Sequence, residues 1–146
     1  MSSATVLLLV LLGSVVVSAV IAFLIVRSSR ARADAALEPL GATLRRTAAS
    51  ALGRTDDVPM QGTGTLVLTT RSVAFAQWRP ARLLEIPRAD IVRTDTTREH
   101  LGKTLKEDVL RITWRAGGTE EAIAFFLRDL EPWLADLGGR RSATEA

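Results

Sequence analysis

The run TVLLLVLLGSVVVSAVIAFLIV, residues 5–26, holds no charged side chain and nothing more polar than Thr or Ser. No other stretch limits the fold so strongly. At ~1.5 Å per residue a helix of this length reaches roughly 33 Å, against a bilayer hydrocarbon core of ~30 Å. Within lipid each backbone N–H and C=O needs an internal partner, so a lone crossing segment has to be helical. A cleaved signal peptide is the competing reading. It calls for a basic leading region, an apolar core of ~7–15 residues and a small-x-small cleavage site. Here MSSAT leads without a basic residue, the apolar core is longer, and RSSRARAD follows it directly. The sequence therefore predicts an uncleaved anchor over residues 1–27.

Nothing basic precedes this run, whereas Arg27, Arg30 and Arg32 follow it. The positive-inside rule then places the N-terminus outside and the remainder in the cytoplasm, as a single-pass protein of the inner cell membrane. The same three arginines are candidate lipid-headgroup contacts, at about 1 kcal/mol each near an anionic surface. Gly13, Ser14 and Ser18 put small residues a turn apart, a candidate face for a homodimer through the span.

With 146 residues, the chain has room for one small domain besides the anchor. The net charge of +3 is unevenly spread. Residues 27–54 carry six arginines against Asp34 and Glu38, while residues 116–146 carry three arginines against six acids. Neither block has the clustered charge with interleaved aromatics of a nucleic-acid interface, so no nucleic-acid partner is expected. Cysteine is absent, which removes disulfides, zinc–thiolate sites and thiol catalysis together. The preference for arginine and alanine reads as the coding bias of a GC-rich, bacterial genome.

Residues 28–58 read as a helical connector. A second helix is predicted from about Pro39 to Leu52, with Leu40, Leu44, Ala48 and Leu52 on one face and Gly53 as its C-cap. RTDDVPMQG then marks a boundary, followed by a domain over 59–138 and a disordered tail, 139–146.

From Gly62 the period becomes two. GTLVLTT and SVAFAQW flank a reversal at Thr70-Arg71 and read as the domain's first two strands. RLLEIP, DIVRTDT, DVLRITWRA and EEAIAFFLR follow as further strands, with a short, weak strand or a loop around Gly102. DLEPWLADLG returns to helical spacing, closed by Gly138. The expected fold is an N-terminal transmembrane helix plus an α+β, mainly β, domain. Its six- to seven-stranded antiparallel sheet is bent or forms a partly open barrel, capped by the C-terminal helix. Trp114, Phe125 or Phe126, and Trp133 are the expected large core residues.

Several features come in a telling order: G-x-L-x-L-T at 64–69, Phe75, Ile86-Pro87 with Asp90-Ile91, Gly102-Lys103, L-x-I-x-W at 110–114, and Trp133 in the closing helix. This succession resembles the pleckstrin-homology superfamily, and most of all its GRAM-like and bacterial membrane-anchored forms. The likeness covers about residues 60–138. It implies a seven-stranded, partly open barrel with a capping helix, acting as a binding platform. Phosphoinositide-binding members use basic residues around the loop joining the first two strands. The segment matched to that loop, Thr69-Thr70-Arg71-Ser72, offers one.

No catalytic residue, cofactor site or metal site is expected. Glu99-His100 lacks a nucleophile at recognisable spacing and reads as a solvated polar loop. Asp56-Asp57 are adjacent side chains that point apart. GTGTL and GKT lack the strand–turn–helix setting of a phosphate loop. The candidate surface contacts are Arg71, Arg79, Arg82, Arg88 and Trp78, with Trp78 packed partly against the connector. The expected function is a non-enzymatic, membrane-tethered module docking a protein partner at the cytoplasmic membrane face. Anionic-lipid binding, or service as an accessory subunit of a membrane enzyme or transporter, are the alternatives.

Overall fold

A computed structural model describes residues 2–56 and 58–139. Helix α1 runs from Ser3 to Leu37, capped by Ser2, whose hydroxyl accepts from the Thr5 amide. Its most apolar window has a mean hydropathy of 3.0, and no residue of that window is buried. By length and composition it can cross a membrane. The helix does not stop where the apolar run stops. It continues through Arg27–Leu37, and there Ser29, Ala33 and Leu37, at i, i+4 and i+8, turn a buried face to the sheet.

The second helix expected over 39–52 is absent. After a single 3-10 turn, Glu38–Leu40, and Gly41 at φ 103°, the chain enters strand β1, Thr43–Arg54. Ala48 and Leu44 of the anticipated helical stripe are exposed, while Ala49 and Ala51 point into the core. The alanines favour a helix locally. As a strand, however, this segment pairs on both sides, with β2 (Gln61–Thr69) and β7 (Thr119–Phe126). A central strand's two ladders outweigh a propensity of tenths of a kcal/mol per residue. The sheet therefore begins at Thr43 rather than near residue 59, and RTDDVPMQG lies within the domain, at the β1–β2 connection. Gly53 caps no helix. It sits inside β1 at φ 111°, and a Cβ there would come within 2.8 Å of Leu101 Cδ1.

The remaining strands are β3 (Ser72–Gln77), β4 (Arg82–Pro87), β5 (Ile91–His100) and β6 (Lys103–Ala116). The hairpin at 62–78 thus holds the second and third strands. The expected loop around Gly102 is the two-residue turn Leu101-Gly102 of a β5–β6 hairpin, whose register is irregular between Thr97 and Glu99. All seven strands form one antiparallel sheet in the order β4-β3-β2-β1-β7-β6-β5, with β4 and β5 as its two unjoined edges.

The sheet is strongly bent. Phe75 of β3 and Phe125 of β7 are separated by β2 and β1, three strand spacings or about 14 Å along a flat sheet. Their ring centroids nevertheless lie 5.0 Å apart, in a tilted arrangement. One continuous apolar core results, built from inward residues such as Leu66, Phe75, Ile86, Ile112, Ile123 and Phe125. Helix α2, Glu131–Leu137, buries Trp133 and Leu134 in that core and ends at Gly138 in the left-handed conformation. Phe126, the alternative core aromatic, faces out and is 43% exposed. The expected disordered tail lies, from residue 140 on, outside the described residues.

Candidate functional site

The feature that organises the molecular surface is the seam between α1 and the convex face of β2–β3. Ala33 and Leu37 pack on Val67, Ala74 and Ala76, with Leu40 and Trp78 at the margins. Small side chains on both partners let the helix lie close to the strands. This explains why every residue of β3 is buried: Val73 and Phe75 face the core, while Ala74 and Ala76 lie under α1. At one end of the seam the Arg30 guanidinium stacks 4.4 Å from the Trp78 ring centroid, and Trp78 Nε1 donates to Thr65 Oγ1 at 3.0 Å. Farther along, Asp34 pairs with Arg46 of β1.

These contacts fix direction as well as place. From Arg30 to Asp34 the helix advances four residues, roughly 6 Å. Their partners fall at Thr65 and, through the Arg46↔Val67 pairing, two residues along β2, roughly 6.6 Å. Helix and strands thus run nearly alongside one another. The β2–β3 turn at Thr70-Arg71 lies at the far end of the seam. The β3–β4 turn (78–81) and the β1–β2 loop point back toward the apolar half of α1.

The candidate contact residues are thereby divided. Trp78 lies half-buried under α1, as expected, and joins Arg30. Arg79 and Arg82 flank the exposed Pro80 and Ala81 in the β3–β4 turn, on the same end of the sheet. Arg27 is exposed on α1, and Arg32 Nη2 donates to Ser28 Oγ at 3.4 Å. No carboxylate among the described residues pairs with Arg27, Arg79 or Arg82. Arg71 and Arg88 lie elsewhere, at the opposite end, where the Arg88 amide donates to the Arg71 carbonyl at 2.8 Å. Arg88 also reaches the Asp136 carbonyl on α2 at 3.2 Å, a contact that helps hold the cap.

The loop between the first two strands is Thr55–Met60, not Thr69–Ser72, because β1 precedes the hairpin. Thr69 Oγ1 accepts from the Arg71 and Ser72 amides, which makes that reversal a self-contained tight turn. The true first loop carries Asp56, paired with Arg54, whose guanidinium also lies 5.4 Å from the Trp114 ring. The Thr55 amide donates to the Ala122 carbonyl at 3.0 Å, tying this loop to the start of β7 with its Glu120 and Glu121. The end of the sheet nearer the apolar helix thus carries Arg79 and Arg82 on the α1 side and, across from them, Asp56, Glu120 and Glu121 interleaved with Arg54 and Arg115.

His100 is not a solvated loop residue. It is 7% exposed, and Nε2–H donates to the Gly53 carbonyl at 2.8 Å, clamping the end of β5 to β1. Among the described residues, no three His, Cys, Asp or Glu side chains are grouped to hold a metal ion.

A second surface feature was not legible in the sequence. β1 meets β7 only at Ser50, Ala51 and Arg54, with an irregularity between them. At the Ser50↔Phe126 pair β7 ends, and where its chain leaves β1 a cleft of about 380 Å³ opens, lined by Thr47–Ser50, Thr63 and Phe126–Arg128. Recognising it required knowing that 43–54 is a strand. In comparisons with known proteins, neither a family model nor a curated protein matches this chain.

Proposed function

We propose that this chain is a non-enzymatic, single-pass interaction module with a pleckstrin-homology-like domain that docks a protein partner at the cytoplasmic face of the cell membrane. The observation that carries this reading is the cleft between β1 and β7, rimmed by the exposed ring of Phe126 and held to the apolar helix through the α1 seam. An exposed aromatic beside an apolar groove suits capture of a protein segment. Confinement to a bilayer raises the effective concentration of other membrane proteins, so a modest surface suffices. The strand order and helical cap agree with what the family resemblance implies. Arg27, Arg30 and Arg32 after the apolar run support the orientation with the sheet inside.

The test is site-specific photo-crosslinking from position 126 of the full chain in native membranes, with Arg115 as the control position. A discrete protein adduct from 126, absent from 115 and lost in Ala48→Asp, is expected. Identical adduct patterns from both positions would sink the reading.

A second reading, recognition of anionic lipid, is favoured by one observation. Arg27, Arg79 and Arg82 share the end of the molecule nearest the apolar helix, and none is neutralised by a carboxylate among the described residues.

A further inference from the structure

We infer that the β3–β4 turn, Trp78–Arg82, is a second membrane contact: it sits at headgroup depth, with Arg79 and Arg82 on anionic lipid phosphates beside Arg27. The inference deepens the lipid reading and rests on α1 being a membrane span.

The argument is one of height. Trp78 is level with Arg30, four residues past Val26, the last residue of the apolar run. That is roughly 6 Å beyond the hydrocarbon edge, inside a headgroup layer that adds about 5–7 Å on each side of the core. Strand β3 runs toward the bilayer, since Ala74 and Ala76 lie under the later turns of α1 and Trp78 under Arg30. Residues 78–81 form the turn and Gln77 pairs with Arg82, so Ala81 lies about level with Trp78 while Arg79 and Pro80, at the apex, reach nearest the hydrocarbon edge. The turn cannot retreat without giving up the Trp78–Arg30 stack and the Trp78–Thr65 hydrogen bond.

Its chemistry suits that depth. Trp is favoured at membrane interfaces, where an apolar ring and a polar N–H are both accommodated. Pro80 and Ala81 are exposed and uncharged, and the neighbouring β1–β2 loop adds Val58, 43% exposed, and Pro59. Arg79 and Arg82 bracket Pro80 and Ala81, so the guanidinium groups meet phosphates while the uncharged tip lies among the headgroups. Glu120 and Glu121 lie across the sheet, where Arg115 stands in register with Glu120.

The chain has no cysteine, so a single introduced cysteine carries a single nitroxide. The full chain is reconstituted in vesicles with and without phosphatidylglycerol, labelled at Val16→Cys, Ala81→Cys or Thr70→Cys. Collision rates with oxygen and with a water-soluble nickel chelate report depth. The expected result is position 16 in hydrocarbon, position 70 in water, and position 81 at the headgroups. Nickel accessibility at 81 should be several-fold below that at 70. Removing phosphatidylglycerol, or adding Arg79→Gln with Arg82→Gln, should raise it.

A label at 81 as wet as at 70, with 16 still shielded, overturns the contact while leaving the span intact. A wet label at 16 overturns the span itself. Headgroup depth at 81 that ignores both lipid charge and the double Gln change overturns the assignment to the arginines.

Discussion

Gly64 is the position in the sheet where a single methyl group does most harm. A Cβ there would lie 2.3 Å from the Ala76 carbonyl oxygen and 2.7 Å from Phe75 Cζ, so β3 and the Phe75–Phe125 pair would both have to move. Overpacking of this kind costs about 1–3 kcal/mol. Gly64→Ala is expected to lower the thermal unfolding temperature of the full chain in detergent, whereas Gly13→Ala, with nothing within 4 Å, is expected not to. An equal loss from both would remove the packing explanation. On the convex face of β5–β6, the Arg111 guanidinium donates twice to Asp95, at 2.9 and 2.6 Å, across registered positions. That hydrogen bond raises the Arg111 pKa above its usual value, against the opposing effect of burial. A base whose pKa is higher when folded gives stability that is complete below its unfolded value and lost only as pH rises through the folded one. Arginine is protonated even in the unfolded chain at every pH at which the protein is handled, so this contribution is complete across that range. Arg111→Met is expected to cost about 1 kcal/mol. Its unfolding profile should track the parent's between neutral pH and pH ~10. A mutant penalty that disappears over that range would contradict the assignment.

At the scale of elements, α2 is short, seven residues, and its stability comes from Trp133 and Leu134 rather than from its own hydrogen bonds. Trp133→Ala is expected to cost about 3–5 kcal/mol. Hydrogen exchange should reveal it as lost protection spreading from α2 into β5, the edge strand that α2 touches. Protection loss confined to α2 alone would mean the helix is an appendage rather than part of the core. The elements that the sequence disclosed were those with unmistakable periodicity: the uncharged run, the alternation from Gly62 onward, and the 3.6-residue spacing of Leu130, Trp133, Leu134 and Leu137. The segment it concealed was β1. Alanine is compatible with both periods, and inward Ala49 and Ala51 carry too little apolar bulk to declare a period of two. The strand at 43–54 owes its existence to its two neighbours, β2 and β7, a fact about distant parts of the chain. The same concealment hid the cleft beside Phe126 and attached the first-loop reading to the wrong reversal. Trp78 and the arginines were legible as surface chemistry, but their division between two ends of the sheet follows from strand direction, which composition does not encode.

The whole molecule is one rigid unit if the α1 seam holds, and a leashed domain if it does not. The two cases predict opposite responses to lengthening the helix. Four alanines inserted between Arg27 and Ser28 lengthen α1 by ~6 Å and rotate its C-terminal turns, with the sheet they carry, by about 40° relative to the span. The residues of the seam itself, Ser29, Ala33 and Leu37, keep their mutual spacing. A rigid unit would carry the sheet, with its β3–β4 turn, out of the headgroup layer, and the nitroxide at position 81 would become as accessible to the nickel chelate as that at 70. A flexibly tethered domain would settle back onto the lipid and show no change. The seam's small-on-small packing, the Arg30–Trp78 stack and the Asp34–Arg46 pair favour the first outcome. Ala33→Glu supplies the converse. A carboxylate forced against Ala74 and Ala76 is expected to detach α1 while leaving the core of the sheet folded. The distance distribution between nitroxides at Phe23→Cys and Thr70→Cys should then be narrow in the parent and broad in the variant. With the seam open, the four-alanine insertion should no longer alter the depth at 81, because the height of the domain would have ceased to be set by the length of the helix.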